Sequence, residues 1–172
     1  MAYSIVRTDN LQATRSGALK SVKYYVSSTA TAIENGNVVA LSGLDTNERE
    51  IFKGVAPAAV GDAVVLVAGV ELIYDESTMA KGLDDYINKA GKPFRAYELE
   101  KGDLFSVSDS AIVALANNTP VVGNVVVTKA SSTKLEEKAS AAGTESLVCK
   151  VIAKEVFGTR AIPMTVLQVI KA

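Results

Sequence analysis

The side chains able to carry chemistry are few in this 172-residue chain. Close carboxylates occur as Glu48-x-Glu50, Asp84-Asp85 and Glu136-Glu137, with one cysteine, Cys149, and no histidine. General acid/base catalysis needs two carboxyls that converge on one substrate from differing environments. Asp84 and Asp85, adjacent on a helix, would diverge and read as a solvated face. Glu48 and Glu50 would share a strand face, where a metal site competes with the commoner reading of a charged strand edge. Without histidine, and with a single thiol, the usual ligand sets for zinc, copper and iron fall away. So do the Ser-His-Asp and Cys-His arrangements and any intrachain disulfide. Ser16, Ser21, Lys20 and Lys23 would allow a Ser-Lys dyad, but their polar stretch offers nothing to desolvate the lysine. Gly61-Asp62 and Gly102-Asp103 read as turns feeding strands. No G-x-x-x-x-G-K-[ST] or G-x-G-x-x-G phosphate cradle is present. The chain has no tryptophan, and Tyr24-Tyr25 is its only adjacent aromatic pair, an anchor in a strand or arm rather than a sugar platform. These residues predict no catalytic site, no cofactor and no metal.

The elements that must position whatever remains are β-strands. Hydrophobic residues make up 48% of the chain, and 23 Val and 9 Ile stand against 13 Leu. β-Branched side chains lose χ1 freedom in helices and pack well on a pleated surface. Candidate strands lie at 22–26, 38–41, 50–55, 63–67, 71–74, 96–99, 104–107, 121–128, 135–138, 147–157 and 164–170, between clusters of turn residues. The fold class is therefore mainly β, built of compact barrel- or sandwich-like units. Along the strand from Leu147, period two puts Cys149 and Val151 on the core face, with Lys150 and Lys154 opposite. Met79, Leu83, Tyr86 and Ile87 fit one face of a short helix of about three turns that Gly91 and Pro93 stop. Gly36-Asn37-Val38-Val39 and Gly123-Asn124-Val125-Val126 are alike. Two related β units, about 29–100 and 101–172, would produce such a pair, and so would chance in a Val-rich chain.

The first residues differ from the rest. Through Tyr25 they carry Arg7, Arg15, Lys20 and Lys23 against Asp9, within a chain of formal charge −1. Residues 1–28 are read as an extended basic arm, too polar to be held by its own core and therefore laid across a neighbouring surface. Arg7, Arg15, Lys20, Lys23, Tyr24 and Tyr25 are its candidate partner-binding residues. With so small an excess of charge, an acidic protein surface is favoured over a phosphate backbone, so nucleic acid is not an expected partner. No secretory h-region and no run long enough to span a bilayer is present, so no membrane partner is expected. The lone cysteine suits a reducing cytoplasm or a particle assembled there.

Tyr74-Asp75-Glu76, the run Leu83-Asp84-Asp85-Tyr86-Ile87-Asn88-Lys89-Ala90-Gly91-Lys92-Pro93-Phe94-Arg95-Ala96-Tyr97, and Lys101-Gly102-Asp103-Leu104-Phe105-Ser106-Val107 resemble the capsid decoration, or cement, proteins of tailed phages and prophages. Pro120-Val121-Val122-Gly123 and the two Val/Ile strands after it add to the likeness, which covers about residues 30–172. The resemblance implies a structural virion protein that binds the outer face of the capsid, with the major capsid protein, and possibly other copies of itself, as partners. A tail-tube or tail-completion protein is the alternative within virions. A small β-barrel enzyme using carboxylate, lysine or tyrosine chemistry is the alternative of another class.

Overall fold

The computed structural model describes residues 3–7, 16–71, 83–116 and 119–172. Thirteen strands are present among them: β1 Val6–Arg7, β2 Leu19–Val26, β3 Thr29–Ala30, β4 Val38–Leu44, β5 Phe52–Val55, β6 Val64–Val67, β7 Phe94–Glu98, β8 Leu104–Ser108, β9 Ile112–Val113, β10 Val125–Thr128, β11 Leu135–Lys138, β12 Val148–Phe157 and β13 Ile162–Lys171. The protein is mainly β, as its Val and Ile content predicts. Strands β2, β5, β4, β6 and β7 pair in that order, and β7 closes back on β2 to form a five-stranded barrel. A second sheet runs β1-β8-β13-β12-β10-β11-β9.

Alternation along each strand divides the core in two. Val39, Val65, Val67, Phe94 and Ala96 point into the barrel with Val22. Their neighbours Val38, Leu66 and Ala68 point outward and join Phe105, Val126, Cys149 and Leu167 in one apolar layer with the second sheet. Sheet and barrel thus share a core, and β4 and β6 are buried on both faces at Val38-Val39 and Val65-Leu66-Val67, which accounts for unbroken runs such as Val64-Val65-Leu66-Val67. The barrel is so tight at β5 that a Cβ on Gly54 would lie 2.8 Å from Val22 Cγ1.

The second sheet repeats the barrel. Gly36 donates its N–H to Val67 and Val67 donates to Asn37, both at 2.8 Å; Gly123 donates to Val151 at 2.9 Å and Val151 to Asn124 at 3.0 Å. Both glycines have positive φ, +82° and +96°, the left-handed turn that glycine adopts without strain. The registers continue in step. Leu66 opposes Tyr97 and Lys150 opposes Gln168; Tyr97 opposes Leu19 and Gln168 opposes Leu104; Phe94 opposes Val22 and Thr165 opposes Val107. Strand β2 lies parallel to β5, and β9 lies parallel to β11. Strands β4, β5, β6 and β7 therefore correspond to β10, β11, β12 and β13. Strand β2 corresponds to β8 and β9 together, which a 3-10 turn at Asp109–Ala111 interrupts. The paired Gly-Asn-Val-Val segments stand at equivalent places in these registers.

Several expectations need correction. Residues 19–26 are no arm: β2 bonds to β5 on one side and β7 on the other, and Val22 is fully buried. Its lysines and tyrosines disguise it because they occupy barrel ends and outer positions. Val6 and Arg7 pair with Val107 and Ser106 of β8, with Ile5 buried beside them. The remainder of the expected arm, residues 1, 2 and 8–15, lies outside the described residues. Of the expected helix, Leu83–Asp85 is one 3-10 turn and Asn88 forms a bridge to Ile33; residues 79–82 lie outside the description, as do 72–74 of the candidate strand 71–74. Among the described residues no helix is long and apolar enough to cross a membrane.

Candidate functional site

The six candidate partner-binding residues do not form one basic face. Lys23 is buried in β2, where its Nζ lies 2.5 Å from Glu48 and 3.6 Å from Asp45. The Glu48 hydrogen bond holds its pKa above the ordinary lysine value against the opposing effect of desolvation. That lysine is therefore no general base, which removes it from the Ser-Lys reading. Tyr25 Oη donates to Asp45 at 3.0 Å, and the Asn47 N–H is the main reason that the Asp45 pKa is lowered. Tyr24 packs against the barrel core. Lys20 pairs with Glu98 at 3.4 Å and sits over the Phe52 ring. Arg7 is on the second sheet, 3.5 Å from Glu155 and over Phe157. Arg15 lies outside the described residues. A +3 stretch in sequence becomes, where described, a set of local ion pairs, because the strands that flank it bring Glu48, Glu98 and Glu155 to these cations.

The carboxylate pairs also have structural work. Asp84 and Asp85 both accept from Arg160 Nη1, at 2.7 and 3.0 Å. Asp84 is buried, so the solvated-face reading of this pair is wrong: a cation some 75 residues away in sequence covers it. Glu48 and Glu50 stand in the turn before β5 and do not share a strand face. Glu136 pairs with Lys129 and Lys138. Glu137 is buried and holds three donors: Leu115 N–H at 2.9 Å, Val121 N–H at 2.7 Å and Asn124 Nδ2 at 2.7 Å. Burial pushes its pKa up, but these bonds and the Lys154 charge outweigh that and leave it below the ordinary 4.5. The two turns read from Gly61-Asp62 and Gly102-Asp103 are present: Asp62 accepts from Ala58 and Ala59, and Asp103 accepts from Glu100.

Glu137 fixes the chain on either side of residues 117–118, and the segments it fixes display apolar side chains. Leu115, Val121 and Val122 are 61%, 54% and 53% exposed. Three large apolar side chains thus stand exposed in segments whose backbone a buried carboxylate holds. Sequence reasoning placed Val121 and Val122 in a strand and did not use Glu137. Lys154 was placed outward with Lys150. A bulge between Val151 and Ala153 shifts the phase by one residue, so Lys154 turns to the side of Val151 and reaches Asp109 Oδ2 at 2.6 Å and Thr165 Oγ1 at 2.7 Å.

Cys149 is fully buried in the core, as its strand phase predicts, and burial drives its thiol pKa strongly upward. Among the described residues no group of three or more His, Cys, Asp or Glu converges to hold a metal ion. An open cavity of about 670 Å³ lies at the seam of barrel and sheet, lined by residues that include Leu41, Val64, Leu99 and Leu147. Comparison with protein-family models, curated proteins and solved structures finds no match.

Proposed function

We propose that this protein is a structural component of a tailed-phage virion, assembled in the host cytoplasm, which binds the outer surface of the capsid and stabilises the shell. The observation that carries this reading is the Glu137-held apolar surface of Leu115, Val121 and Val122, a device for contact rather than for chemistry. Two β units on one shared core give it the stiffness to brace a lattice, and the resemblance from Leu83 to Val107 supports the same reading. Each copy need supply only a few kcal/mol: a ligand that binds the intact state alone stabilises it by about 2.7 kcal/mol at 100 times its dissociation constant. Contacts to several subunits then multiply the effect.

The test is to prepare particles without the protein, add it back, and compare rupture temperatures. Restoration raises the rupture temperature, and Leu115→Asp with Val121→Asp abolishes the gain. Shells that never form without the protein would make it a shell component or scaffold. Shells that form, rupture at an unchanged temperature and lack tails would make it a tail protein.

A further inference from the structure

We infer that the outer face of β10, β12 and β13 docks the barrel end of a second copy of this chain, in a head-to-tail contact that repeats the one inside the molecule. The argument rests on the internal repeat and is independent of the capsid reading. In the first unit the outer face of β4, β6 and β7 is covered. Leu66 is fully buried, Ala68 is 4% exposed and Leu99 is 8% exposed, all within the layer shared with the second unit. What covers that face is one end of the second unit. Thr133, in the turn between β10 and β11, accepts from Val38 N–H at 2.7 Å. The backbone at Gly36 lies so close that a Cβ there would meet Ala111 and Val107 at 3.4 and 3.5 Å.

At the corresponding positions of the second unit no such cover is present among the described residues, although Val127, Val148 and Val166 beside them on the same face are buried. The position of Leu66 is taken by Lys150, and that of Leu99, one residue beyond the Glu98 and Val169 pairings, by Ile170. Ile152 follows Val151 as Ala68 follows Val67. Lys150 is exposed, and Ile152 and Ile170 are each 40% exposed. A two-fold arrangement of the units would have used this face twice. The arrangement here uses it once, which leaves a heterologous contact with one open face and one open end.

The open end belongs to the first unit: the β4–β5 turn, which corresponds to the β10–β11 turn, together with the last residues of β2. It carries exposed apolar residues, Val26 at 50% and Leu44 at 51%. In the turn Asp45 and Glu48 are taken up by Lys23, and Glu50 stands exposed beside Arg49. Fold and apolar character therefore point to one occupant, the barrel end of the next copy.

The experiment is sedimentation of the full chain over a concentration series, with paired cysteine crosslinking. Wild type self-associates with rising concentration, and Ile152→Asp or Ile170→Asp, each at an exposed position, weakens association by at least about tenfold with an unchanged circular dichroism spectrum. Lys150→Cys mixed with Glu50→Cys gives an interchain disulfide, while neither variant crosslinks with itself. A wild-type monomer up to about 1 mM would overturn the inference. So would Lys150→Cys crosslinking to itself, which would make the contact two-fold, or self-association untouched by both aspartate variants.

Discussion

Glu137 accepts the backbone N–H of Val121 at 2.7 Å from a position 1% exposed to solvent, so a buried charge sets the shape of an exposed apolar surface. Glu137→Ala leaves the Leu115 and Val121 donors without their acceptor. Hydrogen bonds to charged groups are worth about 1.5–3 kcal/mol each, and a loss of about 2–4 kcal/mol is the expected result in urea denaturation. Amide exchange at Val121 should accelerate more than at Val126.

The same carboxylate gives an acid signature. The folded pKa of Glu137 lies below the unfolded value, and so does that of Glu145, whose carboxylate accepts backbone N–H groups led by that of Ala142. Groups of this sign contribute stability above the unfolded pKa, near 4.5, and lose it as pH falls through the folded pKa. Melting temperature should therefore drop as pH is lowered below that value, and Glu137→Gln should show a shallower drop. An equal slope in the variant would refute the assignment.

Lys154 and Asp109 form the pair that the β12 bulge creates. Asp109 is 7% exposed, so Lys154→Met leaves a buried carboxylate that keeps, among the described residues, the Thr165 hydroxyl as its side-chain donor. Breaking a buried pair from one side costs about 3–5 kcal/mol; the lower end applies here because Lys154 is partly exposed. Adding Asp109→Asn should recover part of the loss, a non-additivity that a double-mutant cycle reads directly.

Truncation separates the two parts of the N-terminal segment. Deleting residues 1–15 removes β1 and should lower the melting temperature of a chain that still folds. Deleting residues 1–25 removes most of β2, opens the barrel between β5 and β7, and should leave no cooperative transition.

Cys149 should not react with thiol reagents in the native state and should react fully in denaturant. Cys149→Ser places a hydroxyl in the core and should cost roughly 1–3 kcal/mol; rapid native-state labelling would contradict its burial.

The strands were legible because Val and Ile runs bounded by Gly, Pro and Asn have one physical meaning, and so was the burial of Cys149. The repeat was legible in more than Gly-Asn-Val-Val: Gly17-Ala18-Leu19-Lys20-Ser21-Val22 and Gly102-Asp103-Leu104-Phe105-Ser106-Val107 share Gly, Leu, Ser and Val at equal spacing. That match would have marked β2 as a core strand rather than an arm. The partners of charged residues were not legible. Arg160 reaches Asp84, and Lys23 reaches Glu48, through tertiary contacts that no local period encodes. Nor was the phase of Lys154, which depends on one unpaired residue in β12.

The strand that completes the second unit precedes the first unit in the chain. Ile5 and Ser108 exchange hydrogen bonds, from the Ile5 N–H to the Ser108 hydroxyl at 3.0 Å and from the Ser108 N–H to the Ile5 carbonyl at 2.9 Å. During synthesis, at roughly 5–20 residues per second, the barrel has all five strands once Glu98 has left the ribosome. The first residues made must then wait for β8 to emerge. The nascent barrel thus trails an unpaired strand for about 0.5–2 s, during which β1 of one chain can find β8 of another on the same message, and crowded translation becomes the condition under which strands are exchanged between chains.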